Sequence, residues 1–217
     1  MSNQEPKEKE VPTRNRERTR SLILAAATEE FSEKGFAGAR IEKIAERSGS
    51  NKRMLYYYFQ NKEDLFLAVM ESTYKTIRDA ESELRLLDLH PVEAIRCLIT
   101  FTWDYYIKHP EFLHLLNTEN LYHASHIKKS KDIGFYNSKL IGTLSEILIR
   151  GQKEKLFRGG VDPLQLYISI AALSYFYLSN NDTLSTVFVR DLSTPKAKVE
   201  RLQHMIDLVL GYLMLCS

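Results

Sequence analysis

Two short amphipathic segments, parted by a glycine turn and with an asparagine opening the second, constrain this chain more than any other feature. In ARIEKIAERSG (39–49), Ile41, Ile44, Ala45 and Ser48 fall at i, i+3, i+4 and i+7, and Gly49 closes the stretch. That spacing predicts a short helix with one buried face. Asn51 is a good N-cap for the next segment, KRMLYYYF, in which Leu55 and Phe59 face inward and Lys52, Arg53, Tyr56 and Tyr57 face out. Helices this short are marginal alone, so they must pack on something longer. A helix from Arg16, with Ile23, Ala27 and Phe31 at i, i+4 and i+8 and Gly35 ending it, supplies the third member.

A segment opening with Asn-Lys-Arg after a tight turn has the form of a major-groove reader. Arg53 can form a bidentate contact to guanine, and Lys52 reaches guanine or a phosphate. The Tyr56 hydroxyl, one turn on, suits a phosphate. Arg40 stands at the start of the preceding helix, facing the DNA backbone. Lys62 lies in the first turn after the cap Asn61, where free N–H groups favour an anion. The whole chain carries a net charge of only +2, but Val11–Lys62 holds eleven Lys/Arg against six Glu. From periodicity alone, an ordinary three-helix core with solvated charges is an equal alternative.

Downstream, a helix is predicted from Asn61 to about Leu87, with Leu65, Ala68 and Val69 inward. Pro91 opens a helix whose inner face is Ile95, Leu98, Ile99, Thr102, Trp103 and Tyr106, and His109-Pro110 ends it. Further helices are read at Glu111 to about Ser130, Phe135 to about Leu156, Asp162–Ser179 and Pro195 to about Leu215. No stretch has sustained strand alternation, so the fold is read as all-α with nine helices. The boundaries are a disordered arm over 1–12, a helix-turn-helix domain over 13–60 and a larger C-terminal helical domain over 61–217. The polar N-terminus lacks the apolar core of a signal peptide, and no apolar run is long enough to span a membrane. Cys97 and Cys216 are far apart and form no CxxC, so a reducing cytoplasm is the expected compartment.

The stretch from Arg14 through GFAGARIEKIAERSGSNKRMLYYYFQNKEDLF resembles the DNA-binding region of the tetracycline-repressor (TetR) family. Ile44-Ala45, Gly49, Leu55-Tyr56 with Phe59, and Lys62 with Leu65 carry the resemblance. Four positions depart from the common pattern: Ser50 replaces a Val, Asn51 a Ser, Arg53 a small residue and Tyr58 a His. Arg53 therefore adds a base contact that most relatives lack. The resemblance implies an all-helical homodimer that binds double-stranded DNA, senses a small-molecule effector in its C-terminal domain and releases DNA on binding it. It also implies dimerisation through the last two helices, where Leu166, Ile170, Leu173, Tyr177, Leu202, Ile206, Val209 and Leu210 exceed what one core-facing stripe needs. Arg40 and the VDP at 161–163 give residues 91–217 a thinner similarity to the pyrimidine-utilisation repressor subgroup.

In the helix after Pro110, Leu113, Leu116, Asn120, His123 and Ile127 share one face. Asn120 and His123 then need polar partners, which a ligand can supply. Trp103 and Tyr106 are candidate aromatic walls, with Tyr167 and Phe176 closing a pocket for a small, planar, polar effector. The competing reading is that these residues are core packing. Glu119, His123 and His126, at i, i+4 and i+7 with His114 nearby, have the spacing of a metal site. Such Glu–His pairs are common on surfaces, and no metal or cofactor is assigned. There is no Gly-rich phosphate loop, GxSxG or HExxH, and Cys97 has no evident His partner, so no enzyme is read here.

Overall fold

The computed structural model describes residues 13–215, where the chain is all-α. Ten α-helices follow in order: α1 (Thr13–Gly38), α2 (Ile41–Arg47), α3 (Lys52–Tyr58), α4 (Lys62–Ser82), α5 (Pro91–Lys108), α6 (Pro110–Leu121), α7 (Asp132–Lys153), α8 (Pro163–Ser179), α9 (Asn181–Val187) and α10 (Pro195–Leu213). The described residues contain no strand, only an isolated bridge between Phe157 and Met214. The 1–12 arm and Cys216 lie outside the described residues. The chain divides into two compact units between Val69 and Met70.

The first unit is built on the three helices the periodicity calls for. Helical geometry breaks at Gly35, whose φ of 66° is one that L side chains rarely adopt, and Gly49 turns the chain between α2 and α3 at φ 63°. Ile23, Ala27, Phe31, Ile44 and Leu55 are buried at the centre. Phe66 meets Phe31 edge-on at 5.0 Å, an aromatic pairing worth about 0.5–1.5 kcal/mol beyond the area it buries. Arg47 fastens α2 to α1, donating to Glu33 at 2.8 Å and lying 3.5 Å from Glu30.

In the second unit α5 is the central helix. Its inner face, Ile95, Leu98, Ile99, Thr102, Trp103 and Tyr106, is buried as the spacing predicts, against α7, α8 and α10. The Thr102 hydroxyl is satisfied within its own helix by the Leu98 carbonyl at 2.8 Å. Pro91, Pro110, Pro163 and Pro195 each stand at a helix start, and Asp162 and Thr194 cap α8 and α10 through their side chains.

Two helix ends and one added helix depart most from the sequence reading, and α7 runs Asp132–Lys153 rather than Phe135 to about Leu156. Helix α4 stops at Ser82 rather than Leu87, because Arg85 turns left-handed (φ 47°, ψ 47°) and Leu86–Asp88 form a 3-10 turn. Helix α6 stops at Leu121 rather than near Ser130. The buried Glu119 carboxylate accepts the backbone N–H groups of His126 (2.9 Å) and Ile127 (3.0 Å), folding the chain back while His123 and Ala124 take positive φ. Helix α9 was not anticipated; its seven residues, NDTLSTV, have no apolar stripe, and it makes the count ten rather than nine.

Candidate nucleic-acid interface and effector pocket

Helix α3 is held by its cap. The Asn51 side chain accepts the Met54 N–H at 2.9 Å, and Leu55 is buried beneath the helix. This leaves Lys52, Arg53, Tyr56 and Tyr57 exposed. Lys52 forms a solvent-exposed ion pair with Glu42 of α2, which raises its pKa. Such a pair is weak in water and can be exchanged for a phosphate. Arg53 enters no ion pair among the described residues. Arg40 is exposed at the start of α2, where its backbone N–H is taken by buried Glu30 at 3.1 Å while its guanidinium stays in solvent.

Lys62 sits differently from the sequence expectation. Its ammonium does not wait at the head of α4 for a phosphate. It donates to the Ala39 carbonyl at 2.6 Å and the Ala37 carbonyl at 3.4 Å, and lies 5.0 Å from the centre of the Phe36 ring. Desolvation lowers its pKa. The lysine thus ties the head of α4 to the α1–α2 connection. The cap at Asn61 does form, accepting the Asp64 N–H at 2.7 Å.

The second unit scatters the residues proposed for the effector. Trp103 is core, 5.6 Å from Tyr177 and closed off from solvent. Asn120 and His123 are exposed: the buried face of α6 runs through Phe112, Leu115, Thr118 and Glu119 and leaves Asn120 outside it, while His123 lies beyond the helix end at Leu121. Phe176 is 57% exposed on the outer side of α8. Tyr106 and Tyr167 alone converge, on a group that the sequence reading missed. Arg78 and Glu81, one turn apart on α4, are both buried and ion-paired. Arg78 Nη2 donates to the Tyr167 hydroxyl at 2.5 Å, and its guanidinium carbon lies 5.2 Å from that ring. Burial pushes the phenols of Tyr106 and Tyr167 well up, and that of Tyr74 to about 12, so all three are neutral hydroxyls. A sequence signal for this site existed. Met70, Tyr74, Ile77 and Glu81 follow i, i+4, i+7 and i+11, which places a carboxylate on an inward stripe.

Beside Arg78 opens a cavity of about 400 Å³ between the end of α4, the turn at Leu86–Asp88 and α7. The spacing read as a metal site is not realised: Glu119 is taken by His126, whose Nδ1 lies 2.7 Å from it, and by backbone N–H groups. Among the described residues no group of three or more His, Cys, Asp or Glu is placed to hold a metal ion. No described helix is long and apolar enough to cross a membrane.

The residues expected to make α8 and α10 doubly apolar mostly face inward: Leu166, Ile170, Tyr177, Ile206 and Val209 are buried, and Leu173, Leu202 and Leu210 half-buried. The second apolar face exists on other residues. Leu164, Ile168 and Phe176 on α8 and Leu208 and Tyr212 on α10 are exposed.

A capped helix presenting cations above a small three-helix core, joined to a larger helical unit with a cavity, is the form of a helix-turn-helix DNA-binding regulator. Residues 23–69 match the model for bacterial regulatory proteins of the tetR family, and residues 91–209 match the tetracyclin repressor-like C-terminal domain. The chain is 43% identical over 200 residues to the HTH-type transcriptional repressor NicS of Pseudomonas putida, covering 92% of this chain and 94% of NicS. Among solved structures, transcriptional regulator SCO4942 from Streptomyces coelicolor superposes with a TM-score of 0.68 at 22% identity, over 90% of this chain and 98% of that one. AibR, solved with isovaleryl coenzyme A and operator DNA, superposes with a TM-score of 0.63 at 19% identity, over 88% and 97% of the two chains. This chain belongs to the TetR family of transcriptional regulators.

Proposed function

We propose that this regulator is a repressor that grips a two-fold symmetric DNA site as a homodimer and releases it when a small molecule occupies the Met70–Ser217 unit. The observation that carries the reading is the exposed Arg53, which enters no ion pair among the described residues, beside Lys52, Tyr56 and Tyr57 on a capped helix. Arg53 reads a base edge, while Lys52, Tyr56 and Arg40 hold the phosphates on either side. The repressor assignment draws support from NicS, and AibR is an example of one chain of this fold holding both an acyl-CoA and operator DNA. The exposed apolar faces of α8 and α10 are the surfaces a second copy would cover.

A gel-shift titration with the DNA upstream of its own gene tests the reading. The complex weakens steeply with salt, as phosphate contacts require. Arg53→Ala narrows the gap between the specific site and a single-base variant by about 1–3 kcal/mol while sparing non-specific binding. Equal discrimination by wild type and Arg53→Ala overturns the assignment of α3 as the reader.

A further inference from the structure

Helix α1 outruns the core it helps to build. Its inward stripe, Ile23, Ala27 and Phe31, is closed off from solvent. Traced back toward the start of the helix, that stripe continues as Arg20 and Arg16, three and seven residues before Ile23. Residues 15–22 bury no side chain, and both arginines are exposed. A stripe that turns from buried apolar to exposed cationic has left the core while still pointing to the side on which the core lies. Arg20 fixes that side: its guanidinium carbon lies 5.3 Å from the centre of the Phe59 ring, at the C-cap of α3. Arg16 stands one turn, about 6 Å, beyond Arg20 on the same side of α1.

No group of the protein accounts for these cations. Elsewhere in the first unit Arg47 is spent on Glu33 and Glu30, Lys43 on Glu46, Lys52 on Glu42 and Lys62 on two carbonyls. Arg16, Arg18 and Arg20 enter no ion pair among the described residues. Residues 13–22 hold four arginines against one acid, Glu17, and the first turn of α1 has no acid. Cations near a helix start oppose its dipole, and like charges at i, i+4 repel, so Arg16 and Arg20 weaken the free helix. A charge that serves only solubility has no reason to continue the inward stripe; Arg18, on the opposite face by its spacing, is placed as such a charge would be. What compensates the pair is an anion met on the α3 side, and the polyanion this unit meets there is DNA. We infer that Arg16 and Arg20 form a second DNA contact, holding backbone phosphates beside the base pairs that α3 reads. This rests on the reading of α3 given above and extends it: the pair adds affinity and register but no sequence information.

Fluorescence anisotropy of the full chain on its upstream DNA, over a series of salt concentrations, tests the inference. Arg16→Gln with Arg20→Gln removes both charges from an exposed stretch, and a thermal melt checks that the variant is folded. Arg18→Gln, on the opposite face, is the control. In the double variant the slope of log binding constant against log salt falls by about 2 for each chain bound, at about 0.9 per phosphate. The specific site and a single-base variant of it weaken by the same factor. Arg18→Gln keeps the wild-type slope, and Arg16→Lys with Arg20→Lys restores it, because the charge matters and the packing over Phe59 does not. A wild-type slope in the folded double variant, an equal loss per charge in Arg18→Gln, or no rescue by the lysine pair overturns the inference. Arg53→Ala, measured alongside, separates the two readings. A wild-type slope in the double variant with discrimination lost in Arg53→Ala refutes the arginine contact alone. A reduced slope with discrimination intact in Arg53→Ala refutes α3 as the reader alone.

Discussion

Replacing Lys62 by Met separates two roles for one cation. The lysine donates to two backbone carbonyls, one of them on the buried Ala39, and sits against the Phe36 ring. A hydrogen bond from a charged group contributes about 1.5–3 kcal/mol net, and a part-exposed cation–π contact about 0.5–1 kcal/mol. Met keeps part of the apolar stem, and the site is half-buried, so the lower end applies and the loss is about 2 kcal/mol. For a chain of this length that corresponds to a fall in Tm of about 4–8 °C. The companion assay is the slope of log binding constant against log salt for the upstream DNA. A lysine spent on carbonyls leaves the slope of Lys62→Met equal to that of wild type. A lysine bound to a phosphate reduces the slope by about 1 and leaves the Tm near its wild-type value. The second outcome would refute the assignment of Lys62 as a fastener of α4.

Other outcomes follow from the same geometry. Asn51→Ala removes the side-chain cap of α3 and costs about 1 kcal/mol, while Asn51→Gly costs a few tenths; paired thermal melts read the difference. Gly151→Ala places a methyl group 2.0 Å from the buried Phe157 ring, and overpacking at such a contact costs about 1–3 kcal/mol, visible as a lowered urea midpoint. Ile168→Glu on the exposed face of α8 shifts the chain from dimer to monomer in sedimentation equilibrium; an unchanged mass would remove α8 from the interface.

The sequence by itself determined what local chemistry determines. Glycines at 35 and 49, the cap at Asn51, the four helix-opening prolines and the apolar stripe of α5 each act within a few residues, so the helices of the first unit and α5, α8 and α10 were legible. So were the exposed Arg53, Tyr56 and Tyr57, because a seven-residue helix with one buried face has its outer residues fixed by its inner ones. The remainder depended on partners remote in the chain. Lys62 reads as an anion binder until the carbonyls 23 and 25 residues earlier are placed beside it. Asn120 reads as inward until α6 buries Phe112, Leu115 and Glu119 instead, and His123 until Glu119 gathers the N–H groups of His126 and Ile127 beyond the helix end. The pairing of Arg78 with Tyr167 lies in no local spacing, because Tyr167 is 89 residues away. Periodicity reports which side of a helix is apolar, but only the packed structure decides which buried charge is paired.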